Sequence, residues 1–180
     1  GGDQSIGDLG GGWLFFANLF SDYPGCSNYA DGYGPFPAPN SDLAISGIVA
    51  GADGQALNVF SDYNNGGAHQ SGLCIETNVF KEMTFSGADA GSYDFKFDTE
   101  IPVELGANVS TYGFVKVLDP NDNYATVLFQ KIGTAAAGSK TLTVDLDASF
   151  DGMILQWGFA NTASNYDASG RVYDNVSFAP

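Results

Sequence analysis

The side chains best suited to chemistry in this sequence are aromatic rings and amides that lie between apolar runs. Rings stack on the C–H faces of sugars, and amides hydrogen-bond sugar hydroxyls. Exposed loop rings carry function more often than core rings do, although we expect some of these rings only to hold their loops on the fold. The predicted ligand-binding residues are Tyr23, Tyr29, Tyr33, Tyr63, His69, Gln156 and Tyr166.

Carboxylates follow two predicted strands at the same point. LNVFSDYNNGG (57–67) places Asp62 before two Asn and two Gly, and ANLFSDYPG (17–25) places Asp22 close to Pro24. Calcium takes six to eight oxygen ligands from loops that are free to bend. We therefore predict Asp62 as a calcium ligand, with an Asx-turn as the alternative, and interpret Asp22 as a turn residue.

Candidate catalytic residues are few. His69 is the only histidine, so zinc has no pair of His ligands, and any catalytic triad would need this residue. A glycosidase needs two carboxylates across a cleft, and Glu76 and Glu82, six residues apart, are not such a motif. A polysaccharide lyase would need His69, Tyr63 and Arg171 to converge. We predict that the chain is not an enzyme, and we keep a small lyase or glycosidase as an alternative.

The charge of the chain limits its partners. There are 21 acidic residues against 6 Lys and Arg, which gives a net charge of −15. Nucleic acids and anionic membrane surfaces should therefore be repelled. No apolar stretch reaches the length of a membrane span, so we expect no membrane insertion. Neutral polymers, cations and basic partners stay open.

The two cysteines, Cys26 and Cys74, are predicted to form a disulfide in an oxidising compartment. Two buried free thiols are the alternative. The protein is therefore expected to be secreted and extracellular. The first residues, GGDQSIGDLGGG, have neither a basic nor an apolar signal segment, so we expect any export signal to have been removed.

Short alternating apolar runs and frequent glycines predict an all-β fold. Nine or ten strands with connections too short for helices favour an antiparallel β-sandwich of two packed sheets. We predict one domain over 1–180, with 1–12 as an irregular N-terminal arm. The span 21–42 is interpreted as a long irregular loop, and 73–85 as one bent strand or two.

Two finer predictions concern the second half of the chain. DPNDN (119–123) begins like an EF-hand loop but lacks the later Gly and Glu, so a hairpin turn is favoured. Trp157 follows Leu155 at strand spacing and is expected to face the core. Gln156 and Gln130 would then face the other side of the sheet and line a concave surface.

Three segments share a recognisable pattern of glycine turns and alternating strands: GQALNVFSDY (54–63), GADAGSYDFKFDTEI (87–101) and the closing strand RVYDNVSF (171–178). They resemble galactose-binding-domain-like jelly rolls. This is the fold of many secreted bacterial carbohydrate-binding modules, including modules that bind xylan and β-glucans. The resemblance implies a jelly-roll β-sandwich.

The same resemblance implies a structural calcium ion near the closing strand. Carried onto this sequence, Asp174 is the first ligand and Asp62 the second. A third contribution would come from Asp3, Asp8 or a backbone carbonyl.

Together these observations predict a non-catalytic module that binds an extracellular polysaccharide through loop aromatics and carries a structural calcium. A neighbouring catalytic domain would be a natural further partner. The main alternative is a structural or adhesive extracellular protein that self-assembles through calcium and loop contacts.

Overall fold

The computed structural model describes residues 8–42, 45–52, 54–61, 73–100, 104–105, 110–164 and 169–180. In these ranges the chain forms thirteen strands and two single-turn 3-10 helices. The strands are β1 (Leu14–Phe20), β2 (Tyr29–Pro37), β3 (Ser41–Asp42), β4 (Ser46–Gly51), β5 (Gly54–Ser61), β6 (Cys74–Thr84), β7 (Gly91–Thr99), β8 (Glu104–Leu105), β9 (Ser110–Asp119), β10 (Ala125–Gly133), β11 (Gly138–Leu146), β12 (Ile154–Ser164) and β13 (Ser169–Ala179). The 3-10 helices are Gly87–Asp89 and Ala148–Phe150. Within the described ranges, no helix has the length and apolar character to cross a membrane.

The strands build two antiparallel sheets. The six-stranded sheet has the order β10-β9-β12-β6-β1-β2, and the seven-stranded sheet has the order β11-β7-β13-β5-β4-β3, with β8 paired to β13. The chain passes repeatedly from one sheet to the other, as expected when each sheet must bury one apolar face against a partner. The predicted all-β jelly-roll sandwich is confirmed.

The core lies between the sheets and follows from strand alternation. On β7, Phe95 and Phe97 are almost fully buried, and their ring centroids lie 5.4 and 5.0 Å from that of Phe159 on β12. Phe159 also stacks on Tyr173 of β13. Because successive side chains of a strand point to opposite faces, the residues between these core positions form the outer faces of the two sheets.

The interpretation of 21–42 as an irregular loop is wrong, because this span contains β2, which pairs with β1. The sequence of β2, YADGYGPFP, is rich in residues that strands usually avoid. An edge strand tolerates them, since a proline there need not donate to a neighbouring strand. Ring contacts from Phe15 to Tyr33 and Phe36, with centroids 5.6 and 4.8 Å away, pack β2 against β1.

The predicted disulfide between Cys26 and Cys74 is confirmed, with Cα atoms 5.6 Å apart and a sequence separation of 48. Constraining a loop of that length in the unfolded chain stabilises the fold by about 4 kcal/mol in the chain-entropy model. Cys74 begins β6, opposite Phe20 at the end of β1. The bond therefore ties the β1–β2 connection to the middle of the six-stranded sheet.

Asp22 is a turn residue, as interpreted from the sequence. Its carboxylate accepts hydrogen bonds from the Asn28 N–H at 2.5 Å and from the N–H and hydroxyl of Ser27 at 2.9 and 2.8 Å. The bond from the Asn28 N–H is the main reason that the pKa of Asp22 lies below its usual value. The turn shapes the loop that carries Cys26.

Two alternatives left open by the sequence are resolved. The span 73–85 contains one continuous strand, β6, rather than two. DPNDN forms the hairpin turn between β9 and β10, where Asp119 Oδ1 accepts from the Asn121 N–H at 2.8 Å. This carboxylate is used to shape a turn, which is the commonest role of Asp at such a place.

Candidate functional site

The outer face of the six-stranded sheet carries two adjoining depressions of about 530 and 240 Å³. Both are lined by Asn18, Asn78 and Lys116, so they form one continuous trough, which we call the groove. The groove crosses all six strands from β2 to β10, a width of about 24 Å at the usual strand spacing. The larger part is further lined by Phe16, Pro35, Phe80, Glu82, Tyr124 and Gln156. The smaller part is further lined by Glu76, Tyr112, Phe114, Thr126 and Phe129.

The floor of the groove is apolar. Its strand β12 has a glycine, Gly158, between two phenylalanines of the neighbouring strands. Gly158 of β12 pairs with Phe80 on β6 and Phe114 on β9. A Cβ at Gly158 would come within 2.5 Å of the Phe80 Cα, so a side chain here would displace the backbone. Phe80 and Phe114, only 3% and 1% exposed, form with Ala160 an apolar cluster separate from the main core. This buried apolar layer underlies the groove on the outer face of the sheet.

Glu76 organises one end of the groove. Its Oε1 accepts from the side-chain amides of Asn18 at 2.9 Å and Asn78 at 3.2 Å, and its Oε2 accepts from the Tyr112 hydroxyl at 2.5 Å. Burial, and then the negative charge of Glu76, raise the pKa of Tyr112 above its usual value. Donors from three strands therefore converge on one carboxylate, which fixes the orientation of both amides.

Gln156 is the least satisfied residue of the groove. It is 7% exposed, and its Nε2 donates to Glu82 Oε2 at 2.8 Å. Its Oε1 is buried and has no hydrogen-bond partner among the described residues. Leaving a buried acceptor unpaired costs about 1–3 kcal/mol, so the arrangement is improved by any ligand that brings a donor to this oxygen.

Two lysines of the groove face rest on aromatic rings. The Lys116 ammonium lies 5.4 Å from the Phe114 ring centroid, and the Lys131 ammonium lies 4.7 Å from that of Tyr112. In the described part of the chain, neither lysine has a carboxylate within the 4.0 Å of an ion pair. Burial lowers the pKa of Lys116, and the carboxylates of Glu76 and Glu82 oppose that shift. The ammonium of Lys116 is thus a donor at the junction of the two depressions.

The predicted ligand-binding residues fall into different places. Gln156 faces away from the core and lines the groove, while its neighbour Trp157 packs on Phe178 with centroids 4.8 Å apart, as predicted. Tyr29 is 58% exposed and makes an edge contact with Phe20 at the end of β1.

Tyr23, Tyr33 and Gln130 do not line the groove. Tyr33 packs beside Phe15, on the core side of β1. Tyr23 is half-buried in the β1–β2 connection. The predicted site residues Tyr63, His69 and Tyr166 lie outside the described residues.

The lyase alternative requires Arg171 to reach the substrate together with His69 and Tyr63, and the structure excludes this for Arg171. Arg171 is fully buried, and its guanidinium donates to the backbone carbonyls of Ala135 at 2.7 Å and Glu100 at 3.2 Å. A side chain held inside the sandwich cannot neutralise the carboxylate of a bound uronate. Arg171 is therefore a structural residue.

The predicted calcium ligand Asp174 lies on the seven-stranded sheet, away from the groove. Its Oδ2 and Glu100 Oε1 lie 3.2 and 3.3 Å from the position that a Cβ on Gly51 would take. Within the described residues, no three His, Cys, Asp or Glu side chains form a metal-binding group. Asp62, the second predicted ligand, lies outside the described residues.

The sequence does not predict most of the groove residues. It favours loop aromatics as ligand-binding residues, whereas the groove is lined mainly by strand residues such as Asn18, Asn78 and Tyr112. A signal was present in the alternation of β1 and β6. The sequences FFANLF and IETNVFKE alternate, so that Asn18, Glu76 and Asn78 lie on the face opposite the core residues. Their burial on an outer face required the structure.

Comparison with known proteins supports the fold. No known family and no curated protein matches the sequence. The enzymatically active domain of a bacteriophage CBA120 tailspike protein is similar with a TM-score of 0.52 at 8% identity, over 97% of this chain and 21% of that chain. A family 16 carbohydrate-binding module has a TM-score of 0.49 at 9% identity, over 79% of this chain and 90% of that one.

A CBM4 structure has a TM-score of 0.43 at 15% identity, over 77% of this chain and 79% of that one. Most of the similar structures are carbohydrate-binding modules. At such identities the likeness is one of fold alone.

Proposed function

We propose that this protein is a non-catalytic module that binds an extracellular polysaccharide in the groove of the six-stranded sheet. The groove combines apolar rings with amide, carboxylate and ammonium groups, which is the chemistry that a sugar chain requires. Its width of about 24 Å across six strands exceeds a single sugar ring, so the ligand is a chain. The Cys26–Cys74 disulfide favours an oxidising, extracellular setting.

The unpaired Oε1 of Gln156 is the observation that carries this proposal. It is an acceptor on the groove wall, and Lys116, its register partner on β9, supplies a donor. A sugar hydroxyl both donates and accepts, so neighbouring hydroxyls of one ring can satisfy both groups. Water would do so as well, and the apolar floor makes a ligand with C–H faces the better occupant.

The carboxylates of the groove argue against a glycosidase. Glu76 and Glu82 lie on one face of the same strand, six residues apart, which corresponds to about 20 Å. Paired glycosidase carboxylates lie about 5–10 Å apart. We expect no release of reducing sugars or unsaturated products from any polymer that the protein binds.

Affinity gel electrophoresis tests the function. The protein is run through gels that contain soluble xylan, mixed-linkage β-glucan or β-1,4-galactan, and we expect at least one polymer to retard it. Gln156→Met should weaken that retardation by about tenfold, since the hydroxyl loses its buried acceptor. Gln130→Met is the matched control, because Gln130 is exposed on β10 at the position next to Phe129, on the other side of the strand.

Three results bear on the proposal. Absence of retardation in all the gels, or equal retardation of Gln156→Met and the parent protein, would contradict a glycan site here. Calcium-dependent multimers in light scattering would instead favour the self-assembling alternative.

A structural calcium ion near Asp174 is a separate proposal, supported by the resemblance and by the approach of Asp174 and Glu100 to Gly51. Carboxylate and carbonyl oxygens are the ligands that calcium prefers. Binding to the folded state alone raises stability with ion concentration. We therefore expect calcium chloride to raise the thermal midpoint, EDTA to lower it, and Asp174→Asn to abolish the difference. Equal midpoints for the parent protein in calcium and EDTA would refute the site.

A further inference from the structure

Tyr124 has a backbone conformation that tyrosine rarely adopts. It follows Asn123 in the β9–β10 turn. The φ value is 59° for Tyr124 and 49° for Asn123. The Ala125 N–H closes the turn by donating to the Asp122 carbonyl at 2.8 Å. Turns with two positive φ values favour Asn followed by Gly. A tyrosine in the second position costs conformational free energy that glycine would not.

Contacts within the fold do not account for this tyrosine. The side chain is 59% exposed. Among the described residues, its ring pairs with no other aromatic ring and its hydroxyl has no hydrogen-bond partner, in contrast to Tyr112 and Tyr173, which have both. A side chain that stabilised the hairpin would be expected to pack more closely.

The ring lies instead on the groove. Tyr124 lines the larger depression together with Leu118 and Ile154, which pair with each other on β9 and β12, and with Gln156, two residues after Ile154. Pro35 of β2 lines the same depression from the opposite edge of the sheet. The turn thus places an exposed aromatic face at the β9–β10 end of the groove.

We propose that Tyr124 is a stacking platform for a sugar ring at this end of the groove, and that the unfavourable turn is retained because it presents the ring. The inference rests on the proposed function. It assigns the ligand a reach from the polar centre at Gln156 to the hairpin, which requires at least two linked sugar units. The hairpin turn is then part of the binding site and not only a connection.

A set of three variants separates the ring from the turn. Tyr124→Gly removes the ring and relieves the backbone, so the thermal midpoint should not fall, while retardation by the bound polymer should weaken roughly three- to tenfold. Asn123→Gly relieves the neighbouring residue of the same turn without removing a ring, and should keep full retardation. Tyr124→Phe keeps the ring and should bind as the parent protein does. Each variant is measured in the xylan, β-glucan and galactan gels and by thermal unfolding.

The outcomes are distinct for the two proposals. If no polymer retards the parent protein, the proposed function is overturned and the platform with it. If a polymer retards the parent protein and Tyr124→Gly equally, only the platform is overturned. Equal loss of retardation in Asn123→Gly and Tyr124→Gly would assign the effect to the turn and refute the role of the ring. A lower thermal midpoint in Tyr124→Gly would show that the ring stabilises the fold, against this inference.

Discussion

The outer faces of the two sheets meet their hydrogen-bonding requirements in different ways. On the seven-stranded sheet, Asp94 accepts from the Thr143 hydroxyl at 2.7 Å and pairs with Lys96 at 2.9 Å. Asp98 of the same strand accepts from the Asn175 amide at 2.8 Å. These partners are side chains of the same sheet, and most are open to water. Asp94 and Asp98 are therefore satisfied without a ligand.

The six-stranded sheet also pairs its carboxylates, Glu76 and Glu82, but leaves other groups without partners. The buried Oε1 of Gln156 has no donor among the described residues, and the ammonium of Lys116 lies on a ring. Both faces are rich in polar side chains, so polarity does not distinguish them. Unpaired buried polar atoms do not distinguish them either, since Asn58 Oδ1 on β5 and Ser169 Oγ on β13 also have no partner among the described residues. The six-stranded face differs because its unpaired atom, Gln156 Oε1, belongs to a residue that lines a depression together with aromatic rings.

The largest expected difference between the two sheets comes from a single glycine-to-alanine substitution made in each of them. Gly158→Ala places a Cβ within 2.5 Å of the Phe80 Cα, and the backbone must shift to accept it. We expect a loss of about 1–3 kcal/mol in the free energy of unfolding, measured by urea denaturation. We also expect weaker polysaccharide retardation, because the floor of the groove rises.

Gly91→Ala is the control for that variant. Gly91 begins β7 on the seven-stranded sheet, and an added Cβ there meets nothing within 4 Å. Its stability and retardation should match the parent protein. If Gly158→Ala were equally harmless, the groove would not require a glycine at position 158.

The charge of Glu76 provides the next largest effect. Glu76→Gln replaces a carboxylate that accepts from Asn18, Asn78 and Tyr112, and should cost about 1.5 kcal/mol at neutral pH. The folded-state pKa of Tyr112 is raised, so its contribution to stability is complete below the unfolded value of about 10 and is lost as the pH rises further. Without Glu76 that alkaline loss should be smaller, although burial still raises the pKa.

Urea denaturation at pH 7 and above pH 10 measures both effects of Glu76→Gln. Glu82→Gln is the control, since Glu82 is an exposed residue whose described hydrogen bond comes from Gln156. A Glu76→Gln variant as stable as Glu82→Gln would mean that the network does not organise the groove.

The sequence predicted the sandwich well because alternation is a local signal. Trp157 was assigned to the interior from its spacing to Leu155, and the disulfide followed from the cysteine count and context. The edge strand β2 was missed because its glycines and prolines are tolerated only at a sheet edge, and edge position depends on the whole topology. Local composition cannot supply that information.

The groove was harder to predict because it depends on neighbours distant in sequence. Gln156 was placed on the correct side of its strand by alternation with Trp157. The reason that it matters lies in Glu82, 74 residues away, which occupies its amide nitrogen and leaves the oxygen unpaired. Tyr124 was hidden for a different reason, since DPNDN predicts a turn but not the φ values that point the next ring at the groove.

The smallest expected difference between the faces is a loss of stability at low pH. Tyr112 on the other sheet affects stability at high pH instead. The pKa of Asp94 is lowered, first by the hydrogen bond from Thr143 and then by Lys96. The pKa of Asp98 is lowered by hydrogen bonds from Ser139 and Asn175. A lowered folded-state pKa contributes stability above the unfolded value of about 4, and that contribution is lost as the pH falls through the folded value.

Asp94→Asn should therefore be slightly less stable than the parent protein at pH 7, and the two should converge below about pH 4. The effect is small because water screens an exposed pair, and it should shrink further in high salt. Asp145→Asn, at an exposed position of β11, should show no such convergence. Polysaccharide retardation should be the same for both variants at every pH, because the affected charges lie on the sheet that does not carry the groove. A change in retardation for Asp94→Asn would mean that the two faces are coupled and that the division between them is wrong.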